Sequence, residues 1–177
     1  MVKYVRQAQS GRSMIEMLGV LAIVGVLSAG GIAGYSMAMQ SYKTSALIEK
    51  INLLAQQARI LYEGQYDNAA VGTELIRSGM VTDLASPFGG VLDVTSEGAS
   101  ASAVKQEFKV QTNLSNIPAE ACIKLLQTDW GTTGVFTSIQ VTGGTEYTSA
   151  AGTSPVSGET ATSQCSGGNK QITWIFK

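Results

Sequence analysis

The chain contains no histidine anywhere in its 177 residues. That absence removes the side chain most often used as a general base and most often found on a metal. Cysteine is scarce as well. Cys122 and Cys165 are the only two, too few and too far apart for a zinc site built on paired Cys-x-x-Cys motifs. In a protein that leaves the cytoplasm, the expectation is that they pair as a disulfide. Charge is sparse and balanced, with 12 basic and 13 acidic residues, so the basic footprint that marks a nucleic-acid-binding domain is missing. Without histidine, a free-cysteine dyad or a visible cluster of carboxylates, nothing points to catalysis, a metal or a cofactor. The length suits one modest domain and leaves no room for a second independent core.

What the chain does have is concentrated at its start. Residues 1–12 carry Lys3, Arg6 and Arg12 and no acidic residue, and Met17 to Tyr42 is a run of about 26 residues without a formal charge. Such a run is long enough to span a bilayer, and the basic residues before it place that end in the cytoplasm, so the remainder is expected to face outward. A conventional cleaved signal peptide has a shorter apolar region that ends at a small-x-small site. Here the apolar run continues instead into a helical pattern. Leu47, Ile51, Leu54, Ala58 and Leu61 fall on one stripe at steps of three and four, while Glu49, Lys50, Gln56, Gln57 and Arg59 fall largely elsewhere. The reading is one helix from about Ser13 to Glu63 stopped by Gly64, apolar all round in its first half and amphipathic in its second.

Two features inside the apolar half stand out. Glu16 places a carboxylate about one turn inside it, at a cost of about 2.5–3.5 kcal/mol if left unpaired at a bilayer centre and less near its surface. It is either a flanking charge favoured by the helix N-terminus or a group with a partner. Glycines cluster at Gly19, Gly25, Gly30, Gly31 and Gly34. One reading is close packing between helices, which the Gly30-x-x-x-Gly34 spacing fits. The other is local unwinding, because each glycine costs about 1 kcal/mol of helix propensity.

Downstream, Thr73 to Ser78 before Gly79 reads as a short helix and Pro118 to Gln127 as another, with Pro118 suited to a first helical turn. Strands are expected at Val91 to Val94, Phe108 to Thr112, Val135 to Val141 and Gln171 to Phe176, from alternation and β-branched or aromatic content. Together these predict an α+β fold, an antiparallel sheet laid on the long helix. Thr142 to Asn169 is dominated by Gly, Ser, Thr and Ala, and is expected to be a surface loop that supplies little core, closed by the disulfide.

Gly11 followed by Arg12-Ser13-Met14-Ile15-Glu16 and a long apolar run resembles the prepilin signature, in which glycine precedes the cut and glutamate stands fifth after it. Ser86-Pro87-Phe88-Gly89-Gly90 and Ile117-Pro118-Ala119-Glu120-Ala121-Cys122 resemble landmarks of the type IVb pilins. Arg12 departs from the pattern, which usually places Phe, Met, Leu or Val there for N-methylation. The resemblance implies a leader over residues 1–11, an N-terminal helix over 12–63 with its transmembrane half at 14–39, and a globular head over 64–177. It further implies processing at Gly11 and Arg12 by a prepilin peptidase and assembly by an inner-membrane platform and ATPase. The subunit would then pass from the inner membrane into an extracellular filament. Glu16 is expected to pair with a neighbour's new α-amino group, and Gly25, Gly30, Gly31 and Gly34 to lend the helix flexibility. The rivals are a minor pilin or secretion-system pseudopilin and, from another class, a single-span anchored sensor or enzyme.

Overall fold

A computed structural model describes residues 14–66, 70–97, 106–113, 117–131, 135–167 and 170–177. The chain divides into two units, Met1–Met39 and Gln40–Lys177. The first helix, α1, spans Met14–Tyr62 and contributes to both. Within the first unit α1 is helical throughout its described length, and every residue from Met14 to Ala38 is exposed.

In the second unit α1 becomes amphipathic. Thr44, Leu47, Ile51, Leu54, Ala55 and Ala58 are buried, at the three- and four-residue steps that line one helix face. Each fully buried Leu or Ile contributes about 1.5–3 kcal/mol relative to exposure. Helix termination uses two left-handed residues, Glu63 (φ 50°) and Gly64 (φ 83°). Glycine adopts that conformation without a Cβ clash, whereas Glu63 does so under strain. The Glu63 N–H still donates to the Arg59 carbonyl at 2.9 Å, so the last turn stays bonded.

The remaining elements are α2 (Val71–Arg77), β1 (Val91–Glu97), β2 (Glu107–Asn113), α3 (Ala119–Gln127), β3 (Phe136–Val141), β4 (Glu146–Thr148), α4 (Gly158–Cys165) and β5 (Ile172–Phe176). The five strands form one antiparallel sheet in the order β1-β2-β5-β3-β4. The last strand in sequence is therefore the central one in space. Period-two alternation puts Leu92, Val94, Phe108, Val110, Ile139, Val141, Ile172, Trp174 and Phe176 into the core, in one cluster with Leu47, Ile51 and Leu54 of α1. Aromatic rings run through that cluster, Tyr66 against Phe108 at 4.7 Å and Phe108 against Phe176 at 5.5 Å between centroids. At Gly72 a helix meets the sheet so closely that a Cβ would lie 2.9 Å from Leu84 Cδ1 and 3.3 Å from Val94 Cβ. Only a residue without a side chain lets α2 approach β1 there.

One expectation is overturned. Thr142 to Asn169 is not merely a surface loop, because it contains β4 and α4 and sends Tyr147, Val156, Ala161 and Cys165 into the core. Its hydroxyl side chains organise the backbone locally: the Thr148 N–H donates to Thr153 Oγ1 at 2.8 Å, and Thr162 Oγ1 donates to the Gly158 carbonyl at 2.8 Å. The Val156 N–H donates to the Leu126 carbonyl at 3.1 Å, tying the segment to α3. Composition suggested a loop; a few apolar residues and the disulfide decide otherwise. Pro118 is also a residue early, since it sits at the N-cap of α3 in extended geometry rather than inside the first turn.

Candidate functional site: an exposed apolar arm

The sequence of the first unit is helix-forming and apolar on every side, which is why α1 presents no polar face there. Met14 is 84 % exposed, Val26 74 % and Ile32 72 %. A soluble chain rarely leaves so much contiguous apolar surface in water, so this surface belongs in lipid or against other protein. Its length and composition are those of a membrane span. Glu16 lies in the first turn, where the free N–H groups of the helix favour a negative charge. Among the described residues no cation pairs with it. Gly11 and Arg12 lie outside the described residues.

Around Gly19, Gly25, Gly30, Gly31 and Gly34 a Cβ would meet nothing within 4 Å. Packing among the described residues therefore gives no reason for glycine at any of the five positions. The backbone remains helical across all of them, so their use lies in what the arm contacts or in how it deforms.

The second unit carries a covalent tie. Cys122 on α3 and Cys165 at the end of α4 form a disulfide with Cα atoms 5.9 Å apart, and both residues are buried. Trp130, just after α3, donates its indole N–H to the Leu125 carbonyl at 3.0 Å and meets Trp174 of the central strand edge-on at 5.5 Å. The disulfide-closed segment is thereby fixed to the sheet. Among the described residues no group of His, Cys, Asp or Glu is arranged to hold a metal ion.

Several residues of consequence escaped the sequence reading. Lys50 on α1 donates to the Asp83 carboxylate and, at 2.8 Å, to the Ala85 carbonyl, clasping the loop that precedes β1. The Lys50 ammonium holds the Asp83 carboxyl below its ordinary range, aided by the Ala85 N–H. Burial raises the Tyr62 and Tyr66 hydroxyls above theirs. Leu53 and Ile60 stay exposed on α1. Their signal was present in the sequence, since both fall out of phase with the buried stripe.

Residues 41–177 match the family PilS, described as PilS N terminal. A search of the curated proteins finds no match. Among solved structures the chain is similar to a type IV b pilin from Salmonella typhi, with TM-score 0.57 and 18 % identity over 73 % of this chain and 97 % of that one. It is also similar to TcpA, a type IV pilin from the El Tor biotype of Vibrio cholerae, with TM-score 0.58 and 16 % identity over 77 % and 99 % of the two chains. At these identities the likeness is one of fold. The matched stretch spans all of the second unit but its first residue, and the chain belongs to the PilS N terminal family, built on the type IV pilin fold.

Proposed function

We propose that this chain is the structural subunit of a type IV pilus, held in the inner membrane by the apolar half of α1 and then polymerised through it into an extracellular filament. The observation that carries the reading is the apolar arm, exposed along its whole described length in the first unit and with a carboxylate in its first turn, joined to a unit of pilin fold. Residues 1–11 act as a leader, removed by a prepilin peptidase between Gly11 and Arg12 on the cytoplasmic face. An assembly platform and its ATPase then extract the subunit from the membrane.

The arm's apolar surface supplies most of the energy of the filament core, and Glu16 supplies register. As a subunit leaves the bilayer, its carboxylate and the α-amino group of a neighbour are both poorly solvated, so each stabilises the other's charge. The work is mechanical and adhesive. Electron microscopy of purified surface filaments, with mass spectrometry of the subunit's N-terminus, tests all of this. Filaments built of a chain that starts at Arg12 are expected. A chain that still starts at Met1, or one cut after a small residue near Ala38, removes the reading.

A further inference from the structure

We propose that the α1 ridge formed by Glu49 and Leu53 docks against Ile76 and Arg77 on α2 of a second copy of this chain. The inference rests on the filament reading above and names the head-to-head contact that such a filament uses. Glu49 and Leu53 stand four residues apart on one face of α1, and together they wall two open grooves. One groove, of about 560 Å³, runs past Ser45, Asn52 and Gln56. The other, of about 370 Å³, lies between α1 and the segment Met80 to Asp83. A ridge with a groove on either side is the shape that accepts a second helix, since side-chain rows of one helix seat in the grooves of another.

The choice of partner surface follows from symmetry and charge. A polymer that does not close needs two different, complementary patches on each subunit, because one patch meeting its own copy yields a closed dimer. The matching patch must therefore differ from the Glu49 and Leu53 ridge, and the contact is placed on an element other than α1. Among the described residues of Gln40–Lys177, the exposed large apolar side chains off α1 are Ile76, 42 % exposed, and Val91. Val91 is followed two residues later by Asp93, which would repel Glu49. Ile76 is followed by Arg77, whose side chain is 72 % exposed. Arg77 bonds Glu74 of its own helix, an exposed i,i+3 pair of the weak, screened kind that gives way to a better-placed carboxylate. Leu53 beside Glu49 and Ile76 beside Arg77 are thus two apolar anchors with opposite charges at their sides. Complementary charge of this sort fixes register and partner choice.

Paired cysteines test the contact in intact filaments. A chain carrying both Leu53→Cys and Ile76→Cys is expected to give a ladder of linked subunits on a non-reducing gel after mild oxidation. Leu53→Cys paired with Glu159→Cys on α4 gives none. A charge exchange tests it independently. Glu49→Arg and Arg77→Glu each lower filament yield about tenfold, with subunit level unchanged, because a like-charge juxtaposition replaces an attraction. Combining the two substitutions restores the yield. Normal filaments without the ladder overturn this contact and leave the filament reading standing, as do two charge variants that each assemble like the parent. Cross-linking of Leu53→Cys to a different protein also overturns it. A parent chain that forms no filaments removes the filament reading itself.

Discussion

Replacing Thr112 with Val removes one hydroxyl from the core and leaves the side-chain shape nearly unchanged. Thr112 is fully buried near the end of β2, where the regular pairing with β5 stops at Gln111 opposite Thr173. Its Oγ1 accepts the Ile172 N–H at 2.9 Å and lies 3.4 Å from the Ile172 carbonyl, standing in for the backbone rung that is missing there. With Val at this position the N–H of the buried Ile172 has lost its acceptor, which costs about 1–3 kcal/mol. For a chain of this size each kcal/mol moves the melting temperature by about 2–4 °C, so the expected drop is about 2–12 °C. Thr112→Ser, which keeps the hydroxyl and loses only the methyl, should melt above Thr112→Val. The assay is thermal unfolding of the full chain in detergent, with hydrogen exchange followed at the Ile172 amide. Equal melting temperatures for Thr112→Val and the parent, with equal protection of that amide, would refute the reasoning.

Replacing both Cys122 and Cys165 with Ala opens a loop with a sequence separation of 43, which the chain-entropy relation values at about 4 kcal/mol; a fall in denaturation midpoint of that order is expected, and an unchanged midpoint counts against it. Glu16→Gln keeps size and removes charge, so the variant should be inserted and trimmed normally yet enter filaments poorly. Quantitative blotting of membrane and filament fractions decides that outcome, with normal filament numbers reducing Glu16 to a flanking charge. Asp83 has its pKa lowered in the fold, so its stabilising contribution is present above the ordinary carboxylate range and is lost as pH falls through the folded value. An NMR titration should place the Asp83 carboxyl below the ordinary aspartate range in the parent and shift it upward in Lys50→Met, and coincident curves would exclude Lys50 as the cause. In a filament map at near-atomic resolution, α1 is expected to lose regular hydrogen bonding somewhere between Gly25 and Gly34, since leaving lipid relaxes the demand that every backbone group bond internally. Unbroken helix through Gly34 would defeat that expectation.

The long helix was legible because its signals are local. An uncharged run from Met17 to Tyr42 and a stripe at Leu47, Ile51, Leu54 and Ala58 are properties of neighbouring residues, and the helical period converts them directly into an apolar arm and a buried face. The four longer strands were legible for the same reason, with three ends placed as expected and the others off by one to three residues. Thr142 to Asn169 was not, because Tyr147, Val156 and Ala161 are isolated apolar residues in a hydroxyl-rich stretch. Their burial depends on surfaces that α3 and β3 bring to them from elsewhere in the chain.

The amino-acid sequence by itself determined that a long apolar helix lies near the N-terminus, that a carboxylate stands close to its start, and that a single α+β unit with two cysteines follows. Only the tertiary structure decided that the last strand lies between β2 and β3, that Thr112 closes the ladder beside it, and that Lys50 clasps Asp83 across 33 residues of chain. Hydrophobic period acts between near neighbours and can be read along the chain. Strand order, ladder repair and ion pairing join residues far apart in sequence, and they take form only when the whole core closes.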